Sequence, residues 1–369
     1  MDACLAPNGV TRYDGQTPCT RLHVGTADGV VTLERSGPGA AWQVARRSLA
    51  GCHISSLMLE PRRGGLFAGV HHGGLYLSLD GGQTWEPRSR GIAQEHVFTL
   101  ASVERDGAVV LYLGTEPAHL YQSVDYGESW EELPALRSVD EIDRWMFPAP
   151  PHEPHVKDIA FDPRDSRTMY VAIEQGALLK TTDAGQTFRE LKEYSRPDDP
   201  VYRDLHRVIL RPSNPDEIYF SGGAGLYYSK NGGETWEHLS GREARVGYPD
   251  GLVLSPENDQ VLYMAGASEN PGTWRQSHDA NAAIVRSRDG GRTWEHLDRG
   301  LPAHLRGNVE ALSLAAWPGG FSLFAGTTDG DVFASDDKGE SWTVAASGLA
   351  PVSKGGHYRP LVTAAGSGR

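Results

Sequence analysis

Histidines recur in this chain where β-rich runs begin. Four runs open on one: Cys52-His53-Ile-Ser-Ser-Leu-Met-Leu, His96-Val-Phe-Thr-Leu, His155-Val-Lys-Asp-Ile-Ala-Phe and His357-Tyr-Arg-Pro-Leu-Val-Thr. Three more runs align with them, Leu205-His206-Arg-Val-Ile-Leu, Pro249-Asp250-Gly-Leu-Val-Leu and Val309-Glu310-Ala-Leu-Ser-Leu, and put Asp204, Tyr248 and Asn308 at the same first position. Two residues on stand Arg359, Ser55, Phe98, Lys157, His206, Asp250 and Glu310. Imidazoles converging from separate strands are how proteins hold a transition metal. His53, His96, His155, His357 and His206 are therefore candidate ligands for a divalent Zn, Mn, Fe or Cu ion. Such an ion would polarise a carbonyl or carboxylate, or bring the pKa of a bound water to about 7. Glu310, Asp250, Lys157, Tyr248 and Arg359 are then placed to act as base, acid or anion clamp. The competing reading is that a repeated histidine packs neighbouring sheets together. Clustering of the imidazoles in one arc and the carboxylates in the other favours a site.

What would gather such runs in one place is a repeat. Ser78-Leu-Asp-Gly-Gly-Gln-Thr-Trp85 returns as Ser123–Trp130, Thr181–Phe188, Ser229–Trp236, Ser287–Trp294 and Ser335–Trp342. Each copy reads as a tight β-turn. The Asp (Asn231 in one copy) accepts backbone N–H groups of its own turn, the Gly takes a positive φ, and the aromatic ring pins the turn to an apolar layer. The Asp or Asn positions 80, 125, 183, 231, 289 and 337 recur every 45 to 58 residues, the size of a four-stranded propeller blade. A degenerate seventh unit begins at Leu22-His-Val-Gly-Thr and ends at Trp42, with Ser36-Gly-Pro-Gly in place of the turn. The motif is the Asp-box (BNR repeat), and the chain resembles the Asp-box β-propellers: sialidases, certain xyloglucanases, sortilin-type receptors and photosystem assembly factors.

The resemblance implies an all-β, seven-bladed β-propeller of four-stranded antiparallel blades, a single domain over residues 1–369. The first unit shows no inner strand before Leu22, so the C-terminal strand at His357 is expected to join the first blade and close the ring, hiding its edges. Insertions at 132–154 and 268–283 should decorate the face where inner strands begin, with Trp145, Trp274, Arg275 and His278 lining a cleft there. Sialidase activity does not carry over. The Arg-Ile-Pro motif of those enzymes is missing before the first box, where Arg62-Arg63-Gly64 stands instead.

The formal net charge of −13 argues against nucleic acid or anionic membrane as partner. Three cysteines leave a Cys4–Cys19 pair open, with reduced thiols preferred. The N-terminus lacks a basic segment followed by an apolar run, and no stretch approaches the ~20 apolar residues of a membrane helix. The expectation is a cytoplasmic protein. Together these features point to a metal-dependent hydrolase or lyase acting on a small polar or acidic molecule at the channel mouth. The alternatives are a non-catalytic binding or assembly platform, and a metal-independent glycosidase using Asp250 and Glu310.

Overall fold

Six turns of the chain are built alike. In the first, the Ser78 hydroxyl donates to Asp80 Oδ1 at 2.8 Å and accepts the Gly82 N–H at 2.8 Å. Asp80 in turn accepts the Thr84 N–H at 2.9 Å and the Thr84 hydroxyl at 2.6 Å. The same bonds recur around Asp125, Asp183, Asp289 and Asp337, and at Asn231 only the last is reversed, the Asn231 Nδ2 donating to the Thr235 hydroxyl at 3.0 Å. Gly82, Gly127, Gly185, Gly233, Gly291 and Gly339 hold φ between 82° and 91°, a region open to glycine at little cost. Hydrogen bonds from Ser129 to Asp125, from Thr181 to Asp183 and from Thr293 to Asp289 bring those exposed carboxyls down to about 2.

The computed structural model describes residues 1–149, 151–192, 194, 203–240 and 244–355. It is a seven-bladed β-propeller. Six blades are antiparallel meanders whose inner strands are His53–Leu59, His96–Arg105, His155–Asp162, Leu205–Arg211, Tyr248–Leu254 and Val309–Trp317. Each Asp-box joins the third strand of its blade to the fourth. Buried Val, Leu, Ile and aromatic side chains of neighbouring blades form the apolar layers between them, one holding Phe67, Leu77, Leu113 and Trp130.

Ring closure differs from the expectation. The inner strand of the first blade is Asp2–Leu5, which pairs in parallel with Arg21–Thr26 from Asp2↔Arg21 to Leu5↔Val24. Its four residues were too few to register as a strand in the sequence. The chain then adds Asn8–Gly9 to the inner edge of the second blade and Arg12–Asp14 to that of the seventh, both in parallel. Gly9 is required at this crossing: its φ is +87°, and a Cβ would lie 2.9 Å from the Leu57 carbonyl oxygen. Arg207, on the inner strand of the fifth blade, reaches across and donates to the carbonyls of Pro7 at 2.6 Å and Gly9 at 2.9 Å. The N-terminus thus ties blades 1, 2, 5 and 7 together. The proposed C-terminal strand, with His357 and Arg359, lies outside the described residues.

Both insertions fold back on the blades. Within 132–154, two 3-10 turns, Pro134–Ser138 and Ile142–Arg144, bury Leu136 and Trp145. Within 268–283, the helix Pro271–Ser277 buries Trp274 against Tyr248, Ala267 and Ala280. These tryptophans glue loops down instead of lining a cleft. Cys4, Cys19 and Cys52 are free thiols, and burial pushes Cys19 up to about 12. No helix among the described residues is long and apolar enough to cross a membrane.

Candidate functional site

The starts of inner strands do meet at one mouth of the channel, and a second set of residues meets them there. Antiparallel pairing places the last residue of each second strand opposite the first of its inner strand: His71 opposite His53, Glu116 opposite His96, Glu174 opposite His155. The mouth therefore collects Glu116 and Glu174 as well as the aligned rows. Their signal was available as a second register, at the ends of Leu111-Tyr-Leu-Gly-Thr-Glu116 and Met169-Tyr-Val-Ala-Ile-Glu174.

At its centre sits Lys354. Its ammonium lies 2.7 Å from Asp250 Oδ1 and 3.1 Å from Glu174 Oε1. The Lys354 N–H and the Ser353 hydroxyl both donate to Glu310 Oε2, at 2.9 and 3.0 Å. A chain segment that follows the last blade is thereby clasped to blades 4, 6 and 7. Burial opposes charge on each of these groups, yet the pairing wins. Burial would raise the Glu174 and Asp250 carboxyls, but the Lys354 ammonium holds Glu174 well below its usual range and Asp250 at about 2. Lys354 is itself raised, the attraction of Asp250 and Glu174 outweighing burial. Lys157, also fully buried, goes the other way: burial and the nearby Lys354 charge bring it down to about 8. Asn308 donates to the second oxygen of Asp250 at 2.7 Å. Tyr248 packs edge-on against the His206 ring, 4.5 Å between centroids.

The histidines do not share a centre. His53 donates through Nε2 to the Ser353 carbonyl at 2.6 Å. His155 is buried, with Nε2 2.8 Å from Glu174 and Nδ1 3.2 Å from Glu116. Burial would lower its pKa, but those two carboxylates outweigh burial and raise it. His206 donates through Nδ1 to the Pro249 carbonyl at 2.7 Å. Its Nε2 joins Glu174 and Asp204 in a group whose ligand atoms lie within 4.8 Å of one another, but Glu174 there already pairs with the Lys354 ammonium. His96 stands apart at the rim, beside His71 and His72. Of the expected ligands, His53, His155 and His206 thus each commit one nitrogen to a carbonyl or a carboxylate. The metal centre shared by His53, His96, His155 and His206 does not form.

Glu310 and Asp250, expected as acid and base, are brought close to one lysine but are each about 1% exposed. Asp250 faces that ammonium, and Glu310 accepts from the backbone N–H of the same residue. The open space lies at the other end of the channel, on the Asp-box side. A cavity of 340 Å³ there is lined by Val10, Ile159, Val208, Leu252 and Leu314, with Arg207 and Asp158 among its walls.

Comparison with known proteins agrees with the architecture. The BNR/Asp-box repeat model matches residues 76–87 and 227–238. Xyloglucanase Xgh74A of Acetivibrio thermocellus is 23% identical over 63% of this chain and 30% of its own length. The photosystem II assembly lipoprotein Ycf48 of a Synechococcus species is 25% identical over 71% of this chain and 66% of its own. This chain thus spans less than a third of that xyloglucanase and about two thirds of the assembly factor. Among solved structures, an ancestral GH74 enzyme superposes with a TM-score of 0.60 at 19% identity, over 78% of this chain and 38% of that one. The GH74 xyloglucanase of Xanthomonas campestris gives 0.56 at 17%, over 79% and 45%. The distant relatives so include glycoside hydrolases and an assembly factor, which together with the divided histidines overturns the metal-dependent hydrolase or lyase. The chain is a seven-bladed β-propeller built of BNR/Asp-box repeats.

Proposed function

We propose that this propeller is a non-catalytic binding platform that meets its partner at the Asp-box end of the channel. The observation that carries the reading is the Lys354 clasp. Asp250 and Glu174 are both paired with its ammonium, and Glu310 is taken up by the backbone and hydroxyl of the same segment. A glycosidase needs one carboxyl that keeps its proton and one that is ionised, both facing substrate. The Lys354 ammonium favours the ionised form of Asp250, the opposite of what an acid needs, and buried in the clasp neither it nor Glu310 is presented to a sugar. The Asp-box end, by contrast, offers an apolar-walled cavity of 340 Å³, of the size and character of a ligand pocket. The assembly factor among the relatives fits such a role.

A metal-independent glycosidase is the second reading, favoured by the xyloglucanases among the relatives. One experiment separates the two. The purified chain is incubated with xyloglucan in the presence of a chelator, and new reducing ends are counted. A platform releases none above the blank. Sustained release that disappears in Asp250→Asn or Glu310→Gln would overturn the platform and establish the glycosidase.

A further inference from the structure

Beside the clasp, at the rim of the same mouth, three imidazoles crowd together. His71 ends the second strand of blade 2, His72 follows it in the turn, and His96 opens the inner strand of blade 3. Ring centroids are 4.3 Å apart for His71 and His72, 3.5 Å for His72 and His96, and 5.0 Å for His71 and His96. One ligand nitrogen from each falls within 4.8 Å of the others. Glu116 stands behind them, its Oε1 3.5 Å from His96 Nδ1 and 3.7 Å from His71 Nε2. The His96 Nδ1 is buried and has no hydrogen-bond partner, so its polar capacity is unspent at a cost. His72 is held in this place by a left-handed backbone, φ 65°, ahead of Gly73-Gly74.

We propose that His71, His72 and His96, with Glu116 as a fourth ligand, bind a divalent transition metal that staples blade 2 to blade 3. Three imidazoles and a carboxylate suit zinc or its neighbours, not magnesium or calcium, which prefer oxygen throughout. Tetrahedral ligation at about 2.0–2.1 Å sets nitrogens roughly 3.4 Å apart. The rings therefore draw in slightly, and the exposed His72 supplies that movement. Three of these four residues lie outside the ligand set expected from the inner strands, because His71 and Glu116 end second strands and His72 lies in the turn that follows. The staple has no part in a reaction, and it stands or falls independently of the platform reading.

Chelator-treated protein is titrated with Co²⁺, whose visible d–d absorption reports tetrahedral imidazole ligation, and Zn²⁺ is then added as competitor. The expected result is one Co²⁺ per chain, displaced by Zn²⁺, with Zn²⁺ raising the melting temperature by mass action. His72→Ala, at an exposed position, should weaken binding by at least the roughly 10-fold that losing even an outer partner costs. The double variant H72A/H96A should lose both the absorption and the thermal response. His304→Ala, at a histidine bonded to Asp279 elsewhere, should change neither. No absorption in the original chain, or absorption unchanged in H72A/H96A, would overturn the proposal.

Discussion

The two ends of the channel handle acidic side chains in opposite ways. On the Asp-box side each box carboxylate is satisfied within five residues of itself, by hydroxyls and N–H groups of its own turn. At the mouth the carboxylates are buried, and their partners come from far along the chain: Lys354 is 180 residues from Glu174 and 104 from Asp250. Both arrangements depress carboxyl pKa values, by different physics. The turns do it by local hydrogen bonds in water, so each copy is independent and repeatable. The mouth does it by charge pairing at low dielectric, where removal of one partner strands the others.

The largest effect that would break this contrast is at its centre. Lys354→Ala should cost about 3–5 kcal/mol, because it leaves Asp250 and Glu174 buried with much of their compensation gone. Chemical denaturation would measure it, and a loss near zero would mean the mouth is wetter than its geometry implies. Acid sharpens the same point. Asp250 has an ordinary pKa of 3.8 and sits at about 2 in the fold. Its contribution is present above the ordinary value and is lost as pH falls through the folded one. Asp250→Asn should therefore flatten the acid arm of the stability curve between these values. Asp289→Asn, in the same window but exposed at a box, should flatten it less, since solvent screens it.

A second test concerns the degenerate copy. The sequence suggests that Trp42, lacking a box, matters less than Trp236. The structure reverses that order. Trp42 is 8% exposed, stacked under Arg35 at 4.3 Å and edge-on to Phe324 at 5.8 Å, whereas Trp236 is half-buried. Arg35 in turn grips Asp336, next to the box Asp of blade 7, at 2.6 and 2.8 Å. A tertiary ion pair has replaced the missing turn. Trp42→Ala should cost about 3–5 kcal/mol, as core tryptophan truncations do, and Trp236→Ala less. Equal melting shifts would return blade 1 to the status of an imperfect copy.

The smallest effect should come from a single box hydroxyl. Ser287→Ala removes the acceptor of the Gly291 N–H, 2.8 Å away, and should cost about 1 kcal/mol. A larger, global loss would show that the boxes are not local after all.

The sequence by itself determined the blade count, the Asp-box turns and the strand starts that gather at the mouth. All of these are written in contiguous residues with a fixed period, and a turn needs only its own eight residues to form. The rows holding Lys157, His206, Asp250 and Glu310 were legible for the same reason. What they are bonded to was not. Lys354 sits in a segment with no strand pattern, and Glu116 and Glu174 end second strands whose register emerges only on pairing. Asp2–Leu5 was invisible as a strand because its partner is parallel and its length is four residues. Only the tertiary structure decided that the ring closes at the N-terminus, that His53, His96, His155 and His206 share no centre, and that Lys354 sits in the middle of the mouth. Each of these depends on charges and strands meeting across the ring, and the energy of a buried pair is set by distance and solvent exclusion, which no local pattern encodes.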